Sequence, residues 1–255
     1  MGGRAGVLLG WQDSVPDPPG GPAVRPNSLI GAVVATAATA LLCTAAPSTA
    51  APASADDTAC TAPAGPYQRQ LEKHLGRPVD GRQSMADCRA IRSFQTAHGR
   101  PHADGRADLG TYRTVLVVEA TPDPNAAGHC PVESSRVTCV DMDRQLLWVQ
   151  KGKRVVFGPA PIRTGRDAQE TRPGWHSIYW RNRDHVSTIY DNAPMPYAQF
   201  FDGGQALHGH PGDLYDGGGS AGCVNLTVDD AAALWDLLAV DDRVYVWGVK
   251  PGTAG

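Results

Sequence analysis

The stretch Ser220-Ala221-Gly222-Cys223-Val224-Asn225-Leu226 sets one cysteine among glycines, a short way after Leu207-His208-Gly209-His210. A thiol and an imidazole are the minimum pair for covalent acyl transfer. The thiol acts only as thiolate, and its ordinary pKa of about 8.5 calls for a base or a cation nearby. His208 is the candidate base: at a strand end, followed by a glycine that lets other backbone approach, it can take the thiol proton and return it to a leaving amine. The backbone N–H groups of Gly222 and Cys223 are placed for an oxyanion hole. Gly217-Gly218-Gly219 removes side chains that would obstruct a peptide.

Cysteine parity supports a free thiol. Residues 28–46 form an apolar, alanine-rich run after Arg25, and Ala53-Ser54-Ala55 before Asp56 fits a signal-peptidase site, so residues 1–55 are expected to be an export signal cleaved near Ala55. An uncleaved anchor is the alternative, disfavoured by the excess of Ala and Thr over Leu. A lipid on Cys43 is disfavoured by Leu42 just before it. The acidic, proline-rich residues 12–26 suit no signal n-region, which implies a true start downstream of the first methionine written. Losing Cys43 leaves Cys60, Cys88, Cys130, Cys139 and Cys223, an odd set in an oxidising compartment. The economical pairing is Cys60 with Cys88 and Cys130 with Cys139, leaving Cys223 over. Spacing alone does not prove connectivity, and any of the five can be a half-cystine.

Two other chemistries compete for these residues. His208, His210, Asp213 and Asp216 cluster closely enough to suggest a zinc hydrolase, but the His-Glu-x-x-His spacing is absent, and no metal or other cofactor is expected. Alternatively Cys223 is a small packing residue in a non-catalytic wall-binding protein, which accounts poorly for a lone thiol in a glycine-rich loop. A formal net charge of -3 argues against nucleic acid as a partner.

The elements around these residues divide the chain. A hydrophobic share of 42% supports packed cores without a membrane bundle. Residues 60–118 read as a small three-helix module. Its helices are expected over 67–75, from Ser84 with a capping box to Asp87 and apolar positions Met85, Cys88, Ile91 and Phe94, and over 109–117. A core this small would gain most from a Cys60–Cys88 staple. Residues 119–129, rich in Pro, Ala and Asp, read as a linker. Residues 130–250 then alternate like strands: 137–141, 146–150 and 155–157 in an antiparallel meander, with further strands at 160–163, 175–179, 206–208 and 243–247. A capped helix is expected over 227–238.

Two resemblances attach to these segments. Val79-Asp80-Gly81, Cys88-Arg89-Ala90-Ile91-Arg92-Ser93-Phe94-Gln95 and Asp104-Gly105-Arg106 through Thr111-Tyr112 resemble the peptidoglycan-binding-domain-like module found beside cell-wall hydrolases. A generic helical spacer is the alternative for that module. Val140-Asp141, Arg144 through Val149, Arg163-Thr164-Gly165, Thr171-Arg172-Pro173-Gly174, Met195-Pro196-Tyr197, Leu207-His208-Gly209 and the Cys223 loop resemble, in order, the L,D-transpeptidase catalytic domain with its YkuD-like fold. That resemblance implies a mainly β catalytic domain, a sandwich or open barrel with one capping helix.

It also implies roles for residues at matching positions. Cys223 is the acylated nucleophile and His208 the general base; Gly222 and Cys223 give oxyanion contacts, and Asn225 is the polar residue closing the motif. Ser220, Gly209, Tyr197 and His210 complete the expected substrate-binding set; apart from the resemblance, the carboxylates of Asp213 and Asp216 could meet the amine of an acceptor. Ala221 stands where the family usually has histidine, so that imidazole is either dispensable or supplied by His210. The implied reaction is attack of Cys223 on the third residue of a peptidoglycan tetrapeptide stem, release of D-alanine, and resolution of the thioester by a side-chain amine of another stem, a 3-3 cross-link. Water in place of the amine would make an L,D-carboxypeptidase. Carbapenems are implied as covalent inhibitors. With lysine only at Lys73, Lys151, Lys153 and Lys250, the composition suggests a high-GC Gram-positive bacterium, with the protein exported to its cell wall or outer face.

Overall fold

The computed structural model describes residues 60–216 and 218–253. The expected export signal, Ala55, Cys43 and Gly217 lie outside the described residues. Among these residues no helix is long and apolar enough to cross a membrane.

Three helices come first: α1 (Gln68–His74), α2 (Met85–Ala97) and α3 (Leu109–Ala120). α2 starts at a full capping box, in which Ser84 Oγ accepts from Asp87 N–H while the Asp87 carboxylate accepts from Ser84 N–H. Leu71, Ile91, Phe94, Ala107 and Val115 fill the module's core. Met85 is not part of it: it is 55% exposed at the first turn. Strict spacing by three residues drifts backwards around a helix of 3.6 residues per turn, so the stripe that faces inward is Cys88, Ile91 and Phe94. A disulfide joins Cys60 to Cys88 across this core.

Two sheets follow. The first orders β3 (Arg154–Pro161), β2 (Leu146–Lys151), β1 (Arg136–Asp141), β9 (Arg243–Trp247) and β4 (Gly174–Ser177), with β1 and β9 parallel. The second orders β5 (Trp180–Val186), β6 (Pro194–Asp202), β7 (Gln205–Gly209) and β8 (Val224–Leu226), with β7 and β8 parallel. Helix α4 (Val228–Leu237), capped by Thr227 Oγ1 accepting from Asp230 N–H, packs on β6, β7 and β8. Leu147, Val149, Val244 and Val246 of the first sheet meet Leu207, Val224 and Leu226 of the second and Ala231 and Leu234 of α4 in one core. Burying each such Leu or Val side chain contributes about 2 kcal/mol.

Strands β1 and β2 are buried on both faces, which departs from the alternation expected of them. Their outer residues Val137, Cys139 and Trp148 form a second small core with Tyr245 and Trp247, closed by Cys130. The Cys130–Cys139 disulfide ties the entering segment over this face. The residues expected as separate strands at 155–157 and 160–163 are one strand, β3, and the pair β5 and β6 was not anticipated. Polar, half-exposed β5 (Trp-Arg-Asn-Arg-Asp-His-Val) lacks a clean period of two. Its stability comes from pairing with β6 instead.

Candidate active site

Cys223, the one free cysteine among the described residues, stands just before β8. In the parallel register Leu207 faces Val224 and His208 faces Asn225, which sets Ala206 opposite Cys223. Side chains alternate across a strand, so Ala206, His208, Cys223 and Asn225 share one face. Cys223 packs there against Met195, Ala198, Phe200 and Ala206, with its Sγ 3.8 Å from Gly204 O. The thiol and the imidazole are thus diagonal neighbours on adjacent strands. Both line a cleft of about 250 Å³ together with Arg166, Tyr190, His210 and Ala221.

The chemistry of its partners sets the tautomer of His208. Nδ1 lies 2.8 Å from Gly209 O, which can only accept, so Nδ1 carries the proton. Nε2 then holds a lone pair, and Asn225 Nδ2–H donates to it at 2.8 Å. Asn225 is oriented in turn by Arg163, whose Nε and Nη2 donate to Asn225 Oδ1 at 3.3 and 3.2 Å. Arg163 reaches on to His210 Nε2 at 3.2 Å and to Asp216, with Nη1 2.8 Å from Oδ1 and also on the backbone oxygen.

Burial pushes the His208 pKa down to about 4, and the neighbouring His210, Arg163 and His185 push the same way against the Gly209 carbonyl, which holds it up. Burial pushes the Cys223 thiol up, opposed by a backbone hydrogen bond at Ala206. The resting pair is therefore a neutral thiol beside a neutral imidazole.

The loop before Cys223 is held from two sides. Ser220 Oγ donates to Cys223 O and accepts from Gly222 N–H at 3.1 Å, while Thr171 Oγ1 donates to Gly222 O at 2.9 Å. Ser220 N–H donates to Thr164 O, and Arg166 N–H to Ser220 O. Gly222 has φ +104°, and a Cβ there would lie 2.5 Å from Gln205 Nε2, so only glycine fits the turn that delivers the thiol. Lys250 Nζ clamps the same region through Thr164 O and Gly218 O, and burial lowers its pKa to about 8.

Not every expected site residue meets here. Gly209 is buried under α4, where a Cβ would lie 3.1 Å from Val228 Cα; its part in the site is the carbonyl that holds His208. The Gly222 N–H, expected as an oxyanion donor, is engaged by Ser220 Oγ. Tyr197 packs against Trp235 of α4 at 6.3 Å, outside the cleft lining. Asp216 is paired with Arg163. Among the described residues no three His, Cys, Asp or Glu side chains form a group that could hold a metal ion. Arg163 is the contributor that sequence reasoning passed over: it appeared only within the Arg-Thr-Gly landmark, and nothing local signals its reach to Asn225.

Comparison with known proteins bears on the whole arrangement. Residues 135–246 match the family of the L,D-transpeptidase catalytic domain, YkuD. The structure is similar to an L,D-transpeptidase (Yku) from Stackebrandtia nassauensis, at 32% identity and a TM-score of 0.57, over 75% of this chain and 96% of that one. It is also similar to an L,D-transpeptidase from Xylanimonas cellulosilytica, at 23% identity and a TM-score of 0.41, over 72% of this chain and 95% of that one. One from Mycobacterium smegmatis aligns at 22% identity and a TM-score of 0.40, over 45% of this chain and 59% of that one. No curated protein matches.

Proposed function

We propose a function from one premise: this chain belongs to the L,D-transpeptidase family and is an L,D-transpeptidase enzyme. Its donor substrate is a peptidoglycan tetrapeptide stem, and its product a 3-3 cross-link formed through a thioester on Cys223. The observation that carries this is the free Cys223 thiol in the cleft, one register step from the lone pair of His208.

His208 Nε2 takes the Cys223 proton as Sγ attacks the carbonyl of the third stem residue. Asn225 yields the Nε2 lone pair to the thiol as the thiol turns from Gly204 O. With the resting pair neutral, proton transfer and attack proceed together, and no preformed thiolate waits in the cleft. The Cys223 N–H is the backbone donor for the developing oxyanion, the Gly222 N–H serving instead to hold Ser220. Collapse breaks the bond to D-alanine, whose amine takes the proton from Nε2. An amine of a second stem then attacks the thioester, gives its proton to Nε2, and restores the thiol. Water in the second step would yield an L,D-carboxypeptidase.

Export to the cell wall is part of this proposal, supported by the signal-like residues 1–55 and by the two disulfides. The same thiol is proposed to take a carbapenem acyl group, and the helical module to serve wall attachment. Incubating the protein with a tetrapeptide donor and an amine-bearing acceptor, then following D-alanine and dimer by chromatography, tests the function. Both products are expected from the native protein and neither from Cys223→Ala. Dimer formed by Cys223→Ala would overturn the assignment.

A further inference from the structure

A transpeptidase must bring two peptides to one thioester, and the Cys223 cleft is too small for both. Its volume of about 250 Å³ falls below the roughly 300 Å³ at which pockets begin to hold a drug-sized ligand. A second groove, of about 710 Å³, runs between the helical module and the catalytic domain. Arg100 and His102 form its wall on the module side, and Asp213, Tyr215 and Thr227 its wall on the catalytic side. His210 borders both cavities.

From this continuity we propose that the groove is the acceptor site, and that it holds a stem peptide carrying a primary amine, which reaches the thioester past His210. The proposal rests on the transpeptidase function above and goes beyond it in giving the module a substrate-facing wall.

The groove's chemistry fits that occupant. Asp213 is exposed and offers a carboxylate to an ammonium, one of its oxygens accepting from Tyr215 N–H at 3.0 Å. Its loop is held on the module: Arg100 lies over the Tyr215 ring at 5.1 Å, and burial pushes the Tyr215 hydroxyl up to about 12, so the ring stays neutral. Arg100 lines the groove from the module side and brings a guanidinium charge to it, suited to a peptide carbonyl or carboxylate. Asp216 is not available for the amine, because Arg163 holds it. The groove thus presents a cation from the module and an anion from the loop, the complement of a peptide with its own carbonyls and one amine.

The test separates the two half-reactions in the full chain. Asp213→Asn keeps an oxygen for the Tyr215 N–H and removes only the charge. It is expected to leave D-alanine release in the absence of acceptor unchanged while raising the acceptor KM about fivefold, a difference that shrinks in high salt. Asp213→Glu is expected to restore the acceptor KM. An unchanged acceptor KM in Asp213→Asn, or D-alanine release that falls in parallel with it, would overturn the proposal. A native protein that releases no D-alanine at all would overturn the parent function, and this site with it.

Discussion

Asn225 Nδ2 donates to His208 Nε2 at 2.8 Å, so the lone pair needed by Cys223 is held by a neighbour on the next strand. Because Arg163 can only donate, it turns the Asn225 amide oxygen toward itself and the amide nitrogen toward His208. Arg163, Asn225 and His208 thereby form a chain that sets the tautomer of the base. Replacing Asn225 with Asp would swap the donor for a carboxylate that favours imidazolium. The expected outcome is a His208 titration shifted up by at least about one pH unit in NMR of the imidazole nitrogens, with acylation slowed about tenfold or more. An unshifted titration would remove Asn225 from the account.

Alkylation of Cys223 by iodoacetamide reports the resting protonation state. Burial pushes the thiol up and the imidazole down to about 4, so no ion pair forms at neutral pH. The rate should be low at pH 7 and keep climbing into the alkaline range as thiol becomes thiolate. A plateau already reached near pH 6 would mean a preformed thiolate–imidazolium pair, contrary to the proposed concerted step.

Stability should follow the same imidazole. In the unfolded chain His208 takes up a proton near its ordinary value of 6.5; in the folded state it does so only near 4. Between these values the unfolded state binds more protons, so the contribution of His208 is complete above pH 6.5 and is lost as pH falls toward 4. It amounts to on the order of 3 kcal/mol. Denaturant titrations of the native protein and His208→Gln across this window should converge at the acid end, and parallel curves would contradict the burial argument.

The Cys60–Cys88 disulfide links residues 28 apart in sequence, in a module whose hydrophobic cluster is built on five buried residues. Changing both cysteines to alanine is expected to cost about 3 kcal/mol, read as earlier chemical unfolding of residues 60–120 in hydrogen exchange. Exchange that stays unchanged across the module would show that contact with the catalytic domain, such as Arg113 Nη1 on Arg144 O at 2.8 Å, holds it instead.

Much of this arrangement was legible because its signals are local. Ser84 with Asp87 and Thr227 with Asp230 mark helix starts within one turn, and the structure caps both helices there. Strand-like patterning located β2 and β9, although β2 is buried on both faces instead of alternating, and the cysteine among glycines marked the loop that carries the thiol. What the sequence did not reveal depends on pairing between distant segments. Strand β5 owes its form to β6, and Arg163 meets Asn225 only because residues 163–165 cross against the Cys223 loop. Tyr197 was legible as a motif residue, but its ring sits on Trp235, a placement that no spacing along the chain reports.

The central claim is that Cys223, activated by His208, becomes acylated. Intact-mass spectrometry of the protein after incubation with meropenem addresses it most directly, since the adduct forms without any acceptor. The native chain should gain the mass of one carbapenem, mapped by peptide digestion to Cys223, at a rate that falls by at least about a hundredfold in His208→Gln and to zero in Cys223→Ala. An unmodified native chain, or an adduct that persists in Cys223→Ala, would contradict the account.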